Sequence, residues 1–228
     1  MSDTRTTTFD AVLFDLDGTL VDTAPDMVAV LDDLQKTEGQ VPLPYATARA
    51  QVSNGAAGLI RLAFPDADET NHERLRLQYL ELYQASVCVH STLFPGLAEL
   101  LDLLDADQCP WGIVTNKPAR MTDPLLAGLG LSLRAACAIS GDTLEQRKPH
   151  PAPLLLASEQ TGIAPARTVY VGDAARDIEA GRAAGMATIA VEYGYINEDD
   201  PQTWAADHIA ADTAELTKML LKGFNLDT

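Results

Sequence analysis

The sequence predicts an α/β fold, a parallel sheet with a second, helical unit inserted near its start. Three observations predict it. From about residue 93 onward, short apolar runs with β-prone residues alternate with stretches of helical period, the pattern of βα units with crossover connections. Between the first and second of these strands, residues 21–92 carry helical period only. Finally, three polar clusters stand at the carboxyl ends of predicted strands: Asp15 with Asp17, Thr115 with Asn116, and Asp173 with Asp177. Ligands of parallel sheets bind beyond those ends, so the clusters converge on one site.

Taken in order, residues 1–8 are polar and predicted as a mobile tail. The apolar run 9–15 is the first strand, and it stops at Asp15, Asp17 and the turn-forming Gly18. Thr23 and Pro25 start a helix whose stripe is Met27, Val28, Val30, Leu31 and Leu34, ending before Gly39. Residues 41–44 are a loop. Two short helices fill 47–64, broken at Ser53, Asn54 and Gly55, and a longer helix spans about 72–89, with Leu75, Leu77, Leu80, Leu82 and Tyr83 apolar. The domains expected are therefore 1–20 plus 93–228 as the core, and 21–92 as the insert. In the core, strands are predicted at 111–115, 135–140, 168–172, 187–191 and 208–210. Helices are predicted at 98–104, up to Leu129, at 151–161, 177–184 and 215–221, several stopped by glycine.

Composition narrows the function. A net charge of −17 disfavours nucleic-acid backbones and anionic membranes as partners, so an anionic small substrate needs local cations. No apolar stretch reaches membrane-spanning length, and the start lacks a signal-peptide core. The cysteines, Cys88, Cys109 and Cys137, are too scattered for a disulfide framework or a zinc site, and the four histidines lack metal-site spacing. A cytoplasmic protein, monomeric or homodimeric, is the expectation.

Two carboxylates delivered at the end of a buried strand are costly without compensation. A hard divalent ion with oxygen ligands, Mg²⁺, supplies it. Singly, Asp173 and Asp177 read equally well as first-turn helix acids, and Lys148 as solvated loop.

The string Asp15-Leu16-Asp17-Gly18-Thr19-Leu20 resembles the first motif of the haloacid dehalogenase superfamily. Thr115 and Asn116, Lys148 before Pro149, and Gly172-Asp-Ala-Ala-Arg-Asp177 resemble the second, third and fourth, in superfamily order. The resemblance implies a Rossmann-like core with an all-helical C1-type cap. It implies that Asp15 is the nucleophile that takes up the phosphoryl group as an aspartyl-phosphate, and that Asp17 is the general acid and base. It further implies that Lys148, Thr115 and Asn116 hold the phosphoryl group. Asp15, the Asp17 carbonyl and Asp173 would bind Mg²⁺, with Asp177 orienting a metal-bound water. Of Arg147 and Lys148, only the resemblance selects the lysine. Gly18 and nearby amides are candidate phosphate contacts, and Ser53, Asn54 and Gly55 are candidate selectors of substrate in the cap.

Within the superfamily, Val114-Thr-Asn-Lys-Pro118, Lys148-Pro-His-Pro-Ala-Pro-Leu154 and Tyr193-Gly-Tyr195 are similar to the phosphoglycolate phosphatase group. Leu75-x-Leu-x-Tyr-Leu-Glu-Leu-Tyr-Gln84, Val89-His90-Ser91 and Trp204-x-Ala-Asp207 are similar to the bacterial N-acetylmuramic acid 6-phosphate phosphatases. The expected reaction is thus Mg²⁺-dependent hydrolysis of a small phosphorylated metabolite, N-acetylmuramic acid 6-phosphate or 2-phosphoglycolate. The alternatives are a sugar-phosphate mutase of the same superfamily and a catalytically idle binding protein. A dehalogenase would need neither the metal nor Asp17. A phosphonate hydrolase would need a cap lysine, and the insert holds only Lys36.

Overall fold

The structure is a computed structural model that describes residues 9–196 and 199–224; the tail predicted at 1–8 lies outside the described residues. The chain opens with β1 (Ala11–Phe14) and β2 (Val21–Asp22). Four helices follow: α1 (Ala24–Thr37), α2 (Tyr45–Arg49), α3 (Gly55–Ala63) and α4 (Glu69–Ala85), with a 3-10 turn at Val52–Asn54. The insert returns through β3 (Thr92–Leu93) into α5 (Leu97–Ala106), β4 (Trp111–Val114), α6 (Ala119–Gly128), β5 (Cys137–Ile139) and α7 (Ala152–Thr161). The rest is β6 (Thr168–Gly172), α8 (Ala175–Ala183), β7 (Ala187–Val191), β8 (His208–Ala210) and α9 (Thr213–Phe224).

Six strands form one sheet in the order β5-β4-β1-β6-β7-β8, every pair parallel. Helices cover both faces of such a sheet, which is why β1, β4 and β6 read as unbroken buried runs rather than alternating ones. β1 is central, with Val12 level with Trp111 on one side and Val169 on the other. The chain builds outward from β1 through β4 to β5, then returns to β6 on its other flank. This reversal opens a crevice at the carboxyl end of β1.

The insert's helices bury one face each. In α4, Leu75, Tyr79, Leu80 and Tyr83 are buried, whereas Leu77 and Leu82 are exposed. Helical period places the first set on one stripe and leaves the other two off it. α4 also begins three residues before the predicted His72, because Asp68 caps it by accepting from Asn71 N at 2.8 Å. The stretch at Ser53 and Asn54 is a 3-10 turn, and Gly55 is the first residue of α3.

The strand pair at the junction between insert and sheet is not expected from the sequence. β2 and β3 pair antiparallel, Val21 with Leu93 and Asp22 with Thr92. Beside them, the buried carboxylate of Asp26 gathers the returning chain. It accepts from the amides of Cys88 (3.2 Å), Val89 (3.0 Å), His90 (2.8 Å) and Ser91 (2.9 Å), and from Ser91 Oγ (2.6 Å). Among the described residues, no helix is long and apolar enough to cross a membrane.

Candidate active site

Asp15 continues β1 by one residue, its amide donating to Val171 O at 2.9 Å. The ladder thus delivers its carboxylate to the crevice, where it is buried. Asp173 follows β6 directly, and Asp177 lies in the first turn of α8. One carboxylate oxygen from each of these three acids lies within 4.8 Å of the others. Lys148 reaches into the same cluster. Its Nζ lies 2.7 Å from Asp15 Oδ1, 2.7 Å from Asp177 Oδ1, and 2.8 Å from both Val114 O and Tyr170 Oη. Of the two neighbours Arg147 and Lys148, the lysine is therefore the one buried among the acids, while Arg147 is exposed.

Asn116 secures that placement. Its Nδ2 donates to Lys148 O at 2.9 Å, and its Oδ1 accepts from Lys148 N at 3.1 Å. The side chain expected on a phosphoryl oxygen instead brackets the backbone of the site lysine. Gly18 also differs from expectation. Its amide donates to Val21 O at 3.0 Å, so it is not free for phosphate. Its lack of a side chain has another use: with φ at +82°, a Cβ there would lie 2.1 Å from Asp173 Oδ2. A Cβ on Gly194 would lie 2.4 Å from Asp173 Cβ. The two glycines make the space that Asp173 occupies.

Asp173 Oδ2 accepts from Tyr195 N at 2.8 Å and from Ser53 Oγ at 2.7 Å. Its Oδ1 is buried without a partner among the described residues. Burial pushes the Asp173 carboxyl up from its usual range, and the charges of Asp15 and Asp177 push it further. Asp15 is also raised by burial, although the Lys148 ammonium opposes the shift. Three crowded carboxylates with an unpartnered oxygen among them are a donor set that a hard divalent cation fits.

Asp17 stands apart from that cluster. Its Oδ1 accepts from Thr23 Oγ1 at 2.6 Å and from Lys117 Nζ at 2.8 Å. Burial works against the Lys117 ammonium, but the Asp17 carboxylate outweighs it and raises the lysine above its ordinary value. Thr115 is buried, and its Oγ1 accepts from Lys117 N at 3.1 Å, leaving the hydroxyl proton to donate.

A chamber of about 520 Å³ lies over these groups. Asp15, Asp17, Thr115, Asn116 and Lys148 line it from the sheet; Val52, Ser53, Asn54, Gly55, Tyr79 and Tyr83 line it from the insert. The insert is latched to the sheet. Arg176 donates to Ser53 O at 2.6 Å, and Arg49 donates to Gly194 O at 3.2 Å with its guanidinium 4.8 Å from the centre of the Tyr195 ring. Asn54 is turned to Gln51 Oε1 at 2.8 Å, and Gly55 has φ at +65°. His90 is exposed and does not line the chamber.

Sequence reasoning assigned no part to Lys117, Arg176, Tyr195 or Asp26. Lys117, Arg176 and Tyr195 lie inside the stretches Val114–Pro118, Gly172–Asp177 and Tyr193–Tyr195, and a lysine just past a buried strand is a usable signal. Nothing in sequence marks Asp26 apart from an ordinary helix acid.

The haloacid dehalogenase-like hydrolase profile matches residues 9–185, and the chain belongs to that family. An N-acetylmuramic acid 6-phosphate phosphatase of Pseudomonas putida is 44% identical over 214 residues, 92% of this chain and 95% of the relative. A phosphoglycolate phosphatase of Xanthomonas campestris is 43% identical over 207 residues, 90% and 94% of the two chains. Among solved structures, a predicted phosphoglycolate phosphatase of Haemophilus somnus superposes with a TM-score of 0.82 at 29% identity, covering 92% of this chain and 97% of its own. The family and these relatives make the chain a phosphoric monoester hydrolase.

Proposed function

We propose that this chain is a Mg²⁺-dependent phosphatase that works through an aspartyl-phosphate on Asp15, with N-acetylmuramic acid 6-phosphate as its substrate. The observation that carries the mechanism is the pairing of Lys148 with Asp15 on the floor of a covered chamber, with Asp173 close beside Asp15. Asp15 and Asp173 side chains and the Asp17 carbonyl would hold Mg²⁺, with Asp177 behind them. Bound there, the ion would offset the carboxylate charge and polarise the phosphoryl oxygens.

A carboxylate oxygen of Asp15 attacks phosphorus. As the new O–P bond forms, the ester O–P bond breaks, and Asp17 gives its proton to the departing alcohol. Asp17 then takes a proton from water, whose oxygen attacks phosphorus; phosphate leaves and Asp15 is restored. Lys148 keeps its charge beside the nucleophile throughout, and Thr115 donates to a phosphoryl oxygen. Lys117 and Thr23 hold the Asp17 carboxylate in one orientation. The insert acts as the cap: it excludes bulk water while the ester is cleaved.

Chamber size favours the sugar ester. About 520 Å³ lies within the usual range of small-molecule sites, roughly 300–1,000 Å³, and is generous for a two-carbon acid. Val52, Tyr79, Leu80 and Tyr83 offer the apolar and aromatic wall a sugar ring packs against. The three cysteines are free thiols, as a reducing cytoplasm would keep them.

The test is phosphate release, with and without Mg²⁺, from N-acetylmuramic acid 6-phosphate and 2-phosphoglycolate, by the native chain and by Asp15→Asn. Metal-dependent release with a higher kcat/KM for the sugar ester, abolished by the substitution, is expected. A preference for phosphoglycolate would overturn the substrate, and turnover by Asp15→Asn would overturn the mechanism.

A further inference from the structure

The chain has a net charge of −17, yet its chamber is lined by two acids, Asp15 and Asp17, and five cations, Arg76, Lys117, Arg147, Lys148 and Arg176. Four of the five are already engaged. Lys148 pairs with Asp15 and Asp177, and Lys117 pairs with Asp17. Arg176 donates to Ser53 O, and Arg76 is paired with Glu73 through two bonds of 2.7 and 2.6 Å. Arg147 is different: its guanidinium has no ion pair or hydrogen-bond partner among the described residues. It immediately precedes Lys148 in the chain but is exposed where Lys148 is buried, so it belongs to the outer part of the chamber rather than the floor.

The phosphoryl group is already served by Lys148, Thr115 and the metal-binding acids. A further, unpaired guanidinium in the same chamber therefore matches a second negative group on the substrate, at the end remote from phosphorus. Guanidinium presents two parallel N–H donors that fit a carboxylate. We infer that Arg147 is a specificity-determining residue that receives a carboxylate on the alcohol portion of the ester. The inference rests on the phosphatase reading above and narrows its substrate class to phosphomonoesters of hydroxy acids. Esters without the acid lose these charge-assisted bonds and leave Arg147 to water. The chamber in this way rejects neutral sugar phosphates, although its volume accepts them.

The experiment uses two matched pairs of esters: N-acetylmuramic acid 6-phosphate with its carboxamide, and 2-phosphoglycolate with its carboxamide. Each pair differs in charge and hardly in size. Phosphate release by the Mg²⁺-loaded native chain, Arg147→Ala and Arg147→Lys is measured for all four. The native chain is expected to prefer the acid of the better-cleaved pair by roughly 10- to 100-fold in kcat/KM, the worth of a hydrogen bond to a charged group. Arg147→Ala should bring that ratio close to unity, chiefly through KM, and Arg147→Lys should restore part of it. A ratio left unchanged by Arg147→Ala, or a native chain that cleaves acid and amide alike, overturns the inference and leaves the phosphatase reading standing. No release from any of the four esters overturns both. Arg147 is exposed and bonds to no described side chain, so its replacement does not threaten the fold, and near-native thermal melting checks this directly.

Discussion

Ser53 Oγ donates to Asp173 Oδ2 at 2.7 Å, so a side chain of the helical insert touches the acidic cluster at the end of β6. The contact exists only while the insert lies over the sheet. It places the geometry of a candidate metal ligand partly under the control of cap position. Ser53→Ala removes a hydrogen bond to a buried carboxylate, worth about 1.5–3 kcal/mol. A fall in kcat/KM of about 10-fold or more is expected, with a weaker apparent Mg²⁺ affinity in a metal titration. Kinetics and metal affinity both equal to native would remove Ser53 from the site.

Lys117 gives a second expectation. Its ammonium holds Asp17 Oδ1 at 2.8 Å, and its own charge is secured by that carboxylate. Lys117→Met leaves Asp17 held by Thr23 alone and removes the ammonium that lies 4.6 Å over the Tyr83 ring. Because positioned acid–base groups contribute roughly 10²–10⁴-fold, kcat should fall by about 10²-fold with little change in KM. Lys117→Arg should recover part of the rate. Should Lys117→Met act on KM alone, the lysine is a substrate contact and not a support for Asp17.

Asp26 carries no chemistry, and its removal is expected to show in stability. Asp26→Ala leaves four amides and the Ser91 hydroxyl without their acceptor. A loss of at least about 3 kcal/mol is expected, since each unsatisfied buried donor costs about 1–3 kcal/mol and water will rescue some. For a chain of this size that lowers Tm by roughly 6–12 °C. Urea denaturation with an unshifted midpoint would contradict it.

Metal binding should also be visible without turnover. A cation held by the native state but not the unfolded chain stabilises by about 2.7 kcal/mol when it is present at 100 times its Kd. Mg²⁺ should therefore raise the Tm of the native chain, and the increase should vanish in Asp173→Asn. An equal rise in both proteins would mean that the ion binds elsewhere.

The sheet was legible because its strands are buried on both faces: 168–172 and 187–191 are short, mostly apolar and β-prone runs ended by a glycine or a polar turn, and their bounds agree with β6 and β7. The acids at strand ends could be placed for the same reason. The insert was less legible. Its longest helix begins where Asp68 caps it, and an exposed aspartate before a polar turn has no special mark. The β2–β3 pair joins residues some seventy positions apart through two-residue strands, too short to show a period. Site roles set by long-range contacts were hidden too. That Asn116 brackets Lys148, or that Lys117 turns to Asp17, depends on which loops the fold brings side by side.

That short antiparallel pair has a wider consequence. Both passages between sheet and insert run through Val21–Asp22 and Thr92–Leu93, side by side, with Asp26 fastening the returning strand. Both crossings of the chain therefore lie at a single socket, and the other contacts of the helical unit with the sheet, at Ser53 and Arg49, are non-covalent. The order of the strands and the reach of Asp15 are set outside residues 22–92, while Thr23, Asp26 and Ser53 are the points within that stretch that tie it to the site and the junction.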